Sequence, residues 1–469
     1  MKIIVEDNYK HSPRNITVAA ARECYSKRTI TPEECQEWEM SDSLLKDLFI
    51  AGHTTTLEHW HITFALEGVS RHFIWRYLHG FPFYSTDQQS QRYVEMKRNS
   101  FYIPSNIKDD DKKEWEDYYE TSYNKYQEFI NKYVQHFNDN DLLNKQTKKV
   151  ENKKALEFAR YVLPIGQVAN MKYTINLVTL IRLIGFLSSL TKNEECYVEA
   201  NEFANEMENI LLNIEGKLKP LIELSKEEFS KTLESYDNIV TNYEEVFKRF
   251  NKDNATNLIS AENLKLKKFL NVKKISDFKM NPILQNFDIN EDFTSEILVS
   301  HSCDSQNQRH RTSYGFRDKL ENYYKFLNDK FYIPKMLDLD VNLKKEYVDF
   351  MNYMYEFFEK QAQKYDFNTA LYLLPNAHKV YFIEKNSMAY FPHKAQKRLC
   401  FNAQEEIFNM TKEMVLSISK IISLDEYNIK APCHVNDKYN IKPCCPEGSR
   451  FCGVKVWKIE NIEDLNRII

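Results

Sequence analysis

The chain repeats itself, and this internal repeat limits the possible folds more than any other feature. The tetrapeptide Phe101-Tyr102-Ile103-Pro104 returns 230 positions later as Phe331-Tyr332-Ile333-Pro334. At the same offset, Val69-Ser70 returns as Val299-Ser300. A four-residue identity that keeps one offset with its flanking matches indicates an internal repeat, so two copies of one domain are expected. The chain has 469 residues, which is enough for two such domains with separate cores.

Each copy is predicted to be an antiparallel sheet faced by helices, which is an α+β (mixed α/β) fold. From His59 to Val69, polar and apolar side chains alternate as in a half-buried strand. Aromatic residues at steps of three and four predict an amphipathic helix over residues 110–135, and we interpret these aromatics as core. The predicted divisions are copy one at 1–225, a helical connector at 226–290, copy two at 291–430 and a Cys-rich tail at 431–469.

Composition excludes several classes of protein. The net charge of -4 offers no basic footprint for nucleic acid, although a few arginines could still hold a small anion. No two of the nine glycines lie within three positions of each other, which excludes a G-x-G-x-x-G dinucleotide-binding turn and a glycine-rich phosphate-binding loop. The longest apolar region, Ile175 to Leu190, is shorter than the roughly 20 residues that a membrane helix needs. With no signal peptide at the first residues, we expect a cytoplasmic protein without membrane partners.

Three stretches carry a resemblance to a known family. Residues 56–71 read TLEHWHITFALEGVSR, residues 90–92 read SQR, and residues 159–164 read ARYVLP. Together they resemble the flavin-dependent thymidylate synthases, in which an Arg-His-Arg holds the flavin and a Ser-x-Arg holds the substrate dUMP. The resemblance implies the fold of that family in each copy.

The two copies have lost different parts of this motif set. Copy two keeps an Arg-His-Arg within Gln306–Arg311, whereas copy one has His79-Gly80-Phe81 at that place. Copy one keeps the serine and arginine of Ser-x-Arg as Ser90 and Arg92. Their counterparts in copy two are Leu320 and Asn322.

The same exchange occurs at a second offset, 211 positions. Arg160 falls on Leu371, and Arg398 falls on Leu187. Random decay would scatter the losses, but the surviving residues divide into the two sets that neighbouring subunits of the family contribute to one site. We therefore predict a single composite site between the copies and a dead reciprocal site.

The resemblance implies a role for each surviving residue. The nucleotide would be bound by Gln89, Ser90, Gln91, Arg92 and Arg160 of copy one and by Gln306, Arg309 and Arg398 of copy two. Arg398 is the predicted catalytic residue, because a fixed cation can polarise the base. The flavin would be held by Arg309, His310, Arg311 and, more weakly, His59. Ser90 is interpreted as a binding residue, since no positioned base accompanies it in the sequence.

The implied reaction is methylation of dUMP to dTMP with FAD as cofactor and with NADPH and methylenetetrahydrofolate as co-substrates. Asp87-Gln88 stands where the family usually has Asn-Glu, which leaves the substrate open. The alternatives are a flavin-dependent C5 modification of another pyrimidine nucleotide and a non-catalytic nucleotide- or flavin-binding homologue. Two fused copies would need only a homodimer to rebuild the family's tetramer.

Cysteines crowd the tail, with Cys433, Cys444, Cys445 and Cys452 within its length. Such a cluster could hold zinc, with His434 as an alternative fourth ligand, although the spacing is not a common zinc signature. Free thiols in an ordered loop are the other interpretation. The sequence does not decide between them.

Overall fold

The computed structural model describes residues 1–6, 11–81, 83–233, 242–250, 254–261, 292–467 and 469. The strands in this part of the chain are β1 Lys2–Val5, β2 His61–Ser70, β3 Tyr84–Gln88, β4 Val168–Asn176, β5 Thr256–Ser260, β6 Asp292–Ser300, β7 Ser313–Arg317 and β8 Lys379–Ser387. The helices of copy one and the region after it are α1 Pro13–Glu23, α2 Ser41–Ile50, α3 Arg71–Phe73, α4 Asp109–Asp139, α5 Glu151–Ala159, α6 Leu177–Ser188, α7 Tyr197–Ile214, α8 Lys219–Leu233 and α9 Tyr243–Lys248. The helices of copy two and the tail are α10 His301–Asn307, α11 Leu320–Tyr323, α12 Val341–Lys364, α13 Phe367–Ala370, α14 Phe391–Arg398, α15 Glu405–Ser419 and α16 Pro432–Lys438.

The two sheets have the same topology. One has the strand order β1-β2-β4-β3 and the other β5-β6-β8-β7, with antiparallel pairing throughout. Phe64 of β2 faces Tyr173 of β4, and Ile297 of β6 faces Phe382 of β8. All four of these aromatic and aliphatic side chains are buried. The prediction of two antiparallel sheets faced by helices is confirmed.

The long helices join the copies into one core. The aromatic stripe predicted over residues 110–135 is buried in α4, which also extends beyond the predicted bounds. Tyr118 of α4 stacks on Phe357 of α12 with ring centroids 4.4 Å apart, and Trp115 Nε1 donates to Gln361 Oε1 at 3.1 Å. None of the helices in the described ranges combines the length and apolarity needed to cross a membrane.

Equivalent residues of the two copies meet at the centre of the molecule. Pro164 forms an antiparallel bridge with Pro375, its counterpart at the 211 offset. Ile165 N donates to Leu374 O at 2.8 Å, and Asn376 N donates to Leu163 O at 2.8 Å. The copies are therefore related by a pseudo-twofold axis, and this contact brings Arg160–Val162 of copy one close to copy two.

The helical connector predicted for residues 226–290 is wrong for part of its length. Residues 226–233 complete α8 and Tyr243–Lys248 form α9, but Thr256–Ser260 form strand β5. This strand pairs with β6, with Thr256 facing Ile297, and so covers the edge that β1 covers in copy one. The Lys-, Glu- and Asn-rich composition of the region concealed the strand. Residues 234–241, 251–253 and 262–290 lie outside the described part of the chain.

Candidate active site

In each copy, a serine at the end of the central strand starts the helix that leads into the site. Ser70 Oγ accepts a hydrogen bond from Phe73 N, and Glu199 accepts bonds from both Ser70 N and Ser70 Oγ at 2.8 and 2.6 Å. Ser300 and Glu406 repeat this arrangement at 2.7 and 2.5 Å in copy two. The buried carboxyl thus fixes the direction in which α3 and α10 leave their strands.

A cavity of about 80 Å³ lies between the copies. We call it the composite cavity. Copy one lines it with Arg71, Gln88, Gln89, Ser90, Gln91, Arg92, Tyr93 and Arg160. Copy two lines it with Ser302, Ser305, Gln306, Arg309, Asn376 and Arg398. These residues include five arginines, and none of them is aspartate, glutamate or histidine.

Arg92 is held at the cavity by groups from both copies. Its Nε donates to Glu157 Oε2 at 2.7 Å, and its Nη2 donates to Asn402 O at 2.6 Å. Burial would lower the pKa of Arg92, but the Glu157 carboxylate raises it. Burial would likewise raise the pKa of Glu157, but the adjacent cations, Arg92 first, lower it to about 2. Arg92 and Glu157 are therefore a fixed ion pair.

Within the described part of the chain, the other arginines of the cavity form no ion pair with a carboxylate. Arg71 Nε, Arg160 Nη2 and Arg398 Nε are buried atoms without a hydrogen-bond partner among the described residues. Burial, and then repulsion from neighbouring arginines, lowers the pKa of Arg398 to about 10 and that of Arg71 to about 9. Buried cations that repel each other are costly, so this cavity is suited to binding an anion.

Amide side chains complete the walls. Gln91 Nε2 donates to Gln167 Oε1 at 2.5 Å, and Gln91 Oε1 accepts from Asn376 Nδ2 at 3.4 Å. Gln306 O accepts from Arg398 Nη2 at 2.5 Å, while Gln306 Oε1 is buried and has no hydrogen-bond partner among the residues that the structure describes. Ser90 Oγ accepts from Arg92 N at 3.2 Å. Every residue predicted to bind the nucleotide lines the cavity.

The predicted flavin residues do not all lie together. Arg309 lines the composite cavity, and Arg311 lies two residues further along the turn after α10. The Arg311 guanidinium lies 4.4 Å from the centre of the Tyr84 ring of copy one and donates to Tyr84 O. His310 faces His393, with ring centroids 6.3 Å apart. His59 is exposed at the end of the 3-10 turn Thr54–His59 and does not line the cavity.

The pseudo-symmetric positions form what we call the mirror region, Leu187, Leu320, Asn322 and Leu371. Its three leucines are fully buried. Asn322 Nδ2 donates to Asp318 Oδ1 at 2.8 Å. The nearby Glu195 accepts the Leu320 backbone N–H and forms an ion pair with Arg76 at 3.1 Å. The composite cavity has three arginines with a nitrogen that finds no partner among the described residues, whereas the mirror region has packed leucines beside a paired charge.

Sequence reasoning missed several lining residues. Arg71 is the most important, because it adds a fifth cation to the cavity. A signal for it was present, since Val69-Ser70-Arg71 repeats as Val299-Ser300-His301 and so shows the same loss of arginine in one copy. Ser302, Ser305 and Asn376 carry no such signal, because serine and asparagine have ordinary structural roles at most positions.

The predicted zinc set is not assembled. In the described ranges, which include all the tail cysteines, no three His, Cys, Asp or Glu side chains are placed to hold a metal ion. Cys444 Sγ donates to Asp437 Oδ1 at 3.2 Å, whereas Cys433, Cys445 and Cys452 line a small cavity with Cys400. The predicted alternative ligand, His434, donates through Nε2 to Ile459 O at 2.8 Å. Adjacent Cys444 and Cys445 thus point to different surroundings, which separates the set.

Comparisons with known proteins agree with this architecture. The sequence model of the family described as thymidylate synthase complementing protein matches residues 7–214 and 290–422. A flavin-dependent thymidylate synthase of Clostridium tetani is 29% identical over 211 residues, which are 44% of this chain and 82% of that protein.

Two solved structures are also similar to this chain. A UMP/dUMP methylase from Streptomyces cacaoi bound with 5-Br dUMP is 17% identical and covers 49% of this chain and 96% of its own, with a TM-score of 0.33. A flavin-dependent thymidylate synthase from Helicobacter pylori complexed with FAD and dUMP is 16% identical. It covers 48% of this chain and 99% of its own, with a TM-score of 0.34.

Proposed function

The chain belongs to the thymidylate synthase complementing protein family, and we propose accordingly that it methylates dUMP to dTMP at the composite cavity. The observation that carries this proposal is the charge of the cavity, which has five arginines and no acidic residue among its lining side chains. A nucleoside monophosphate supplies the missing negative charge. Two oxygens of its phosphate can also accept from the forked N–H groups of one guanidinium.

Each arginine takes a role from its position. Arg92, Arg160 and Arg309 bind the phosphate and the base oxygens, and Arg398 polarises the base, where a fixed cation stabilises developing negative charge. Ser90 binds and does not attack, because a serine nucleophile needs a base and the lining residues include no histidine or carboxylate. The side-chain amides of Gln91 and Gln306 form hydrogen bonds with the remaining polar groups of the nucleotide.

The residues around Arg311 suit a flavin. Arg311 and His310 follow Arg309 directly, so one turn of copy two could serve nucleotide and flavin together. Two exposed aromatic rings lie near this turn, Phe83 directly before Tyr84 of β3, whose ring Arg311 covers, and Tyr314 in β7. Cations and aromatic faces match the pyrophosphate and the ring system of FAD. Bound FAD supplies the redox chemistry, while the protein binds and orients the reactants.

The test is turnover by the purified chain with dUMP, methylenetetrahydrofolate and NADPH, measured as formation of dTMP. Arg398→Ala should abolish turnover, whereas Lys397→Ala should not, because Lys397 is the preceding residue on the same helix and is exposed. Omitting either co-substrate should also stop the reaction.

Other outcomes distinguish the alternatives. Methylation of another pyrimidine nucleotide in place of dUMP would establish a related C5 modification. Binding of dUMP and flavin without any turnover would establish a non-catalytic homologue. In either case the proposal of thymidylate synthesis would be wrong.

A further inference from the structure

The tail, residues 431–469, lies outside the segments that match the family, yet it contacts the residues that hold Arg92. Arg467 is only 5% exposed. Its Nη2 donates to Glu157 Oε1 at 3.2 Å, and its Nε donates to Ile469 O at 2.9 Å. A buried arginine of the tail therefore binds the carboxylate that pairs with a cavity arginine.

Glu157 has one oxygen for each of its two arginine partners. Oε2 accepts from Arg92 at 2.7 Å, and Oε1 accepts from Arg467. With both oxygens occupied, the Glu157 carboxylate cannot rotate without breaking an ion pair. Arg467 thus fixes the orientation in which Glu157 holds Arg92.

The tail also supports the second group that holds Arg92. Asn402 O accepts from Arg92 Nη2, and Asn402 Nδ2 donates to Arg450 O at 2.6 Å. Both groups that accept hydrogen bonds from the Arg92 guanidinium are therefore bonded to the tail. Glu157 accepts from the side chain of Arg467, and Asn402 donates to the backbone of Arg450.

Docking of the tail onto copy one is specific. Asn144, in the segment before α5, donates to Cys452 O at 2.9 Å. The next residue, Gly453, has φ +85°, and a Cβ there would lie 2.3 Å from Asn144 Oδ1, so only glycine fits this approach. Lys412 of α15 donates to Glu463 O and Leu465 O at 2.7 and 2.9 Å. The tail is thus attached to both copies beside the composite cavity.

Among the described residues, the mirror region has no equivalent of this arrangement. Glu157 falls on Asn368 at the 211 offset, and Asn368 Nδ2 donates to Lys192 O at 3.2 Å and to Glu321 Oε2 at 3.3 Å. The carboxylate is lost together with its arginine, since Arg92 falls on Asn322. The tail therefore contacts only one of the two pseudo-equivalent regions in the described part of the chain, and this is the region that keeps its arginines.

We propose that Arg467 is a positioning residue of the composite cavity, which acts through Glu157 to fix the guanidinium of Arg92 for binding the phosphate of the nucleotide. This inference rests on the proposed function for the identity of the anion. The local geometry of the three residues does not depend on that identity.

The experiment compares Arg467→Ala with Arg467→Lys, and uses Lys455→Ala as a control that removes an exposed cation from the same tail. We expect Arg467→Ala to raise the Kd and KM for dUMP about tenfold, with kcat within about twofold and flavin content unchanged. Arg467→Lys should recover most of the loss, and Lys455→Ala should bind as the wild type does. In a Glu157→Gln background, Arg467→Ala should add less than about twofold, because its partner is already gone.

The inference is overturned if Arg467→Ala binds dUMP like the wild type, if Lys455→Ala loses as much, or if the losses at Glu157 and Arg467 simply multiply. A second measurement separates failure of this inference from failure of the proposed function. It is the rise in Tm that inorganic phosphate or dUMP produces in each variant. If the wild type does not bind dUMP but binds phosphate, and Arg467→Ala binds phosphate more weakly, the proposed function is wrong and the positioning role is supported. Wild-type protein stabilised by neither compound would end both.

Discussion

The composite cavity and the mirror region are built from equivalent elements but differ in electrostatics. Arg160 begins a 3-10 turn at the cavity, and its buried guanidinium has one nitrogen without a partner among the described residues. Leu371 begins the equivalent turn of copy two, and its side chain is packed in the core. Beside the mirror region lies an ion pair, in which Arg76 lowers the pKa of Glu195 to about 2 despite burial. The comparison shows that equivalent elements form packed core in one place and a cluster of buried cations in the other.

The largest effect should come from exchanging the two 3-10 positions. Leu371→Arg places an unpaired charge in a fully buried site and should reduce the free energy of unfolding by about 3–5 kcal/mol. The reciprocal Arg160→Leu should change stability by less than about 1 kcal/mol, because it removes a desolvated cation. It should nevertheless weaken nucleotide binding. Urea unfolding measures the free energy of unfolding of both variants. If Leu371→Arg were as stable as the wild type, the mirror region would be open to solvent and not packed.

Glu199 and Glu406, which occupy equivalent places in the two copies, predict how the free energy of unfolding depends on pH. Burial raises the pKa of Glu199 from 4.5 to about 7, so the folded chain keeps a proton that the unfolded chain releases. Its stabilisation is complete below about pH 4.5 and is lost as the pH rises through about 7, an effect of about 3 kcal/mol.

Glu199→Gln should remove this slope from the pH dependence of the free energy of unfolding. Burial also raises the pKa of Glu406, but Arg160 nearby favours its charged form. Glu406→Gln should therefore remove less of the slope than Glu199→Gln does. A larger change from Glu406→Gln would contradict the electrostatic difference between the two regions.

Nucleotide binding should depend on the cavity residues alone. Arg92→Ala and Arg398→Ala should each weaken dUMP binding by about ten- to a hundredfold, which is about 1.5–3 kcal/mol for a charge-assisted contact. Asn322→Ala and Leu187→Ala should leave the affinity per folded protein unchanged, and calorimetric titration should find one nucleotide per chain. Two nucleotides per chain, or equal losses at Arg92 and Asn322, would show that the copies are not specialised.

The smallest expected effect concerns the flavin. Arg311→Ala should lower flavin affinity about tenfold, because it removes one charge-assisted contact. His79→Ala, at the position that lost its arginine, should retain flavin. Burial lowers the pKa of His79 to about 4, so it is neutral at pH 7 and supplies no charge. Flavin absorbance after gel filtration measures both, and loss of flavin from His79→Ala alone would reverse the assignment of the copies.

Local patterns predicted local structure well and failed where pairing is distant. The aromatic stripe of α4 follows from its three- and four-residue spacing, because one face of a helix must be buried. Strand β5 was missed because its polar composition lacks a strand pattern, and only the open edge of β6 requires it. The zinc set failed for a similar reason, since closeness in sequence does not determine which way Cys444 and Cys445 point.

The sequence by itself determined the repeat, the family resemblance and the division of motifs between the copies, because these depend only on which residues stand at which offset. The tertiary structure alone decided that the surviving residues of both copies line one cavity. It also brought Arg71 and Asn376 into that cavity and the tail's Arg467 to Glu157. These contacts depend on how two folded copies dock about a pseudo-twofold axis, where backbone groups near Pro164 and Pro375 pair over more than two hundred residues of chain. No local pattern encodes that docking, since it is set by the summed burial of surfaces that form only after each copy has folded.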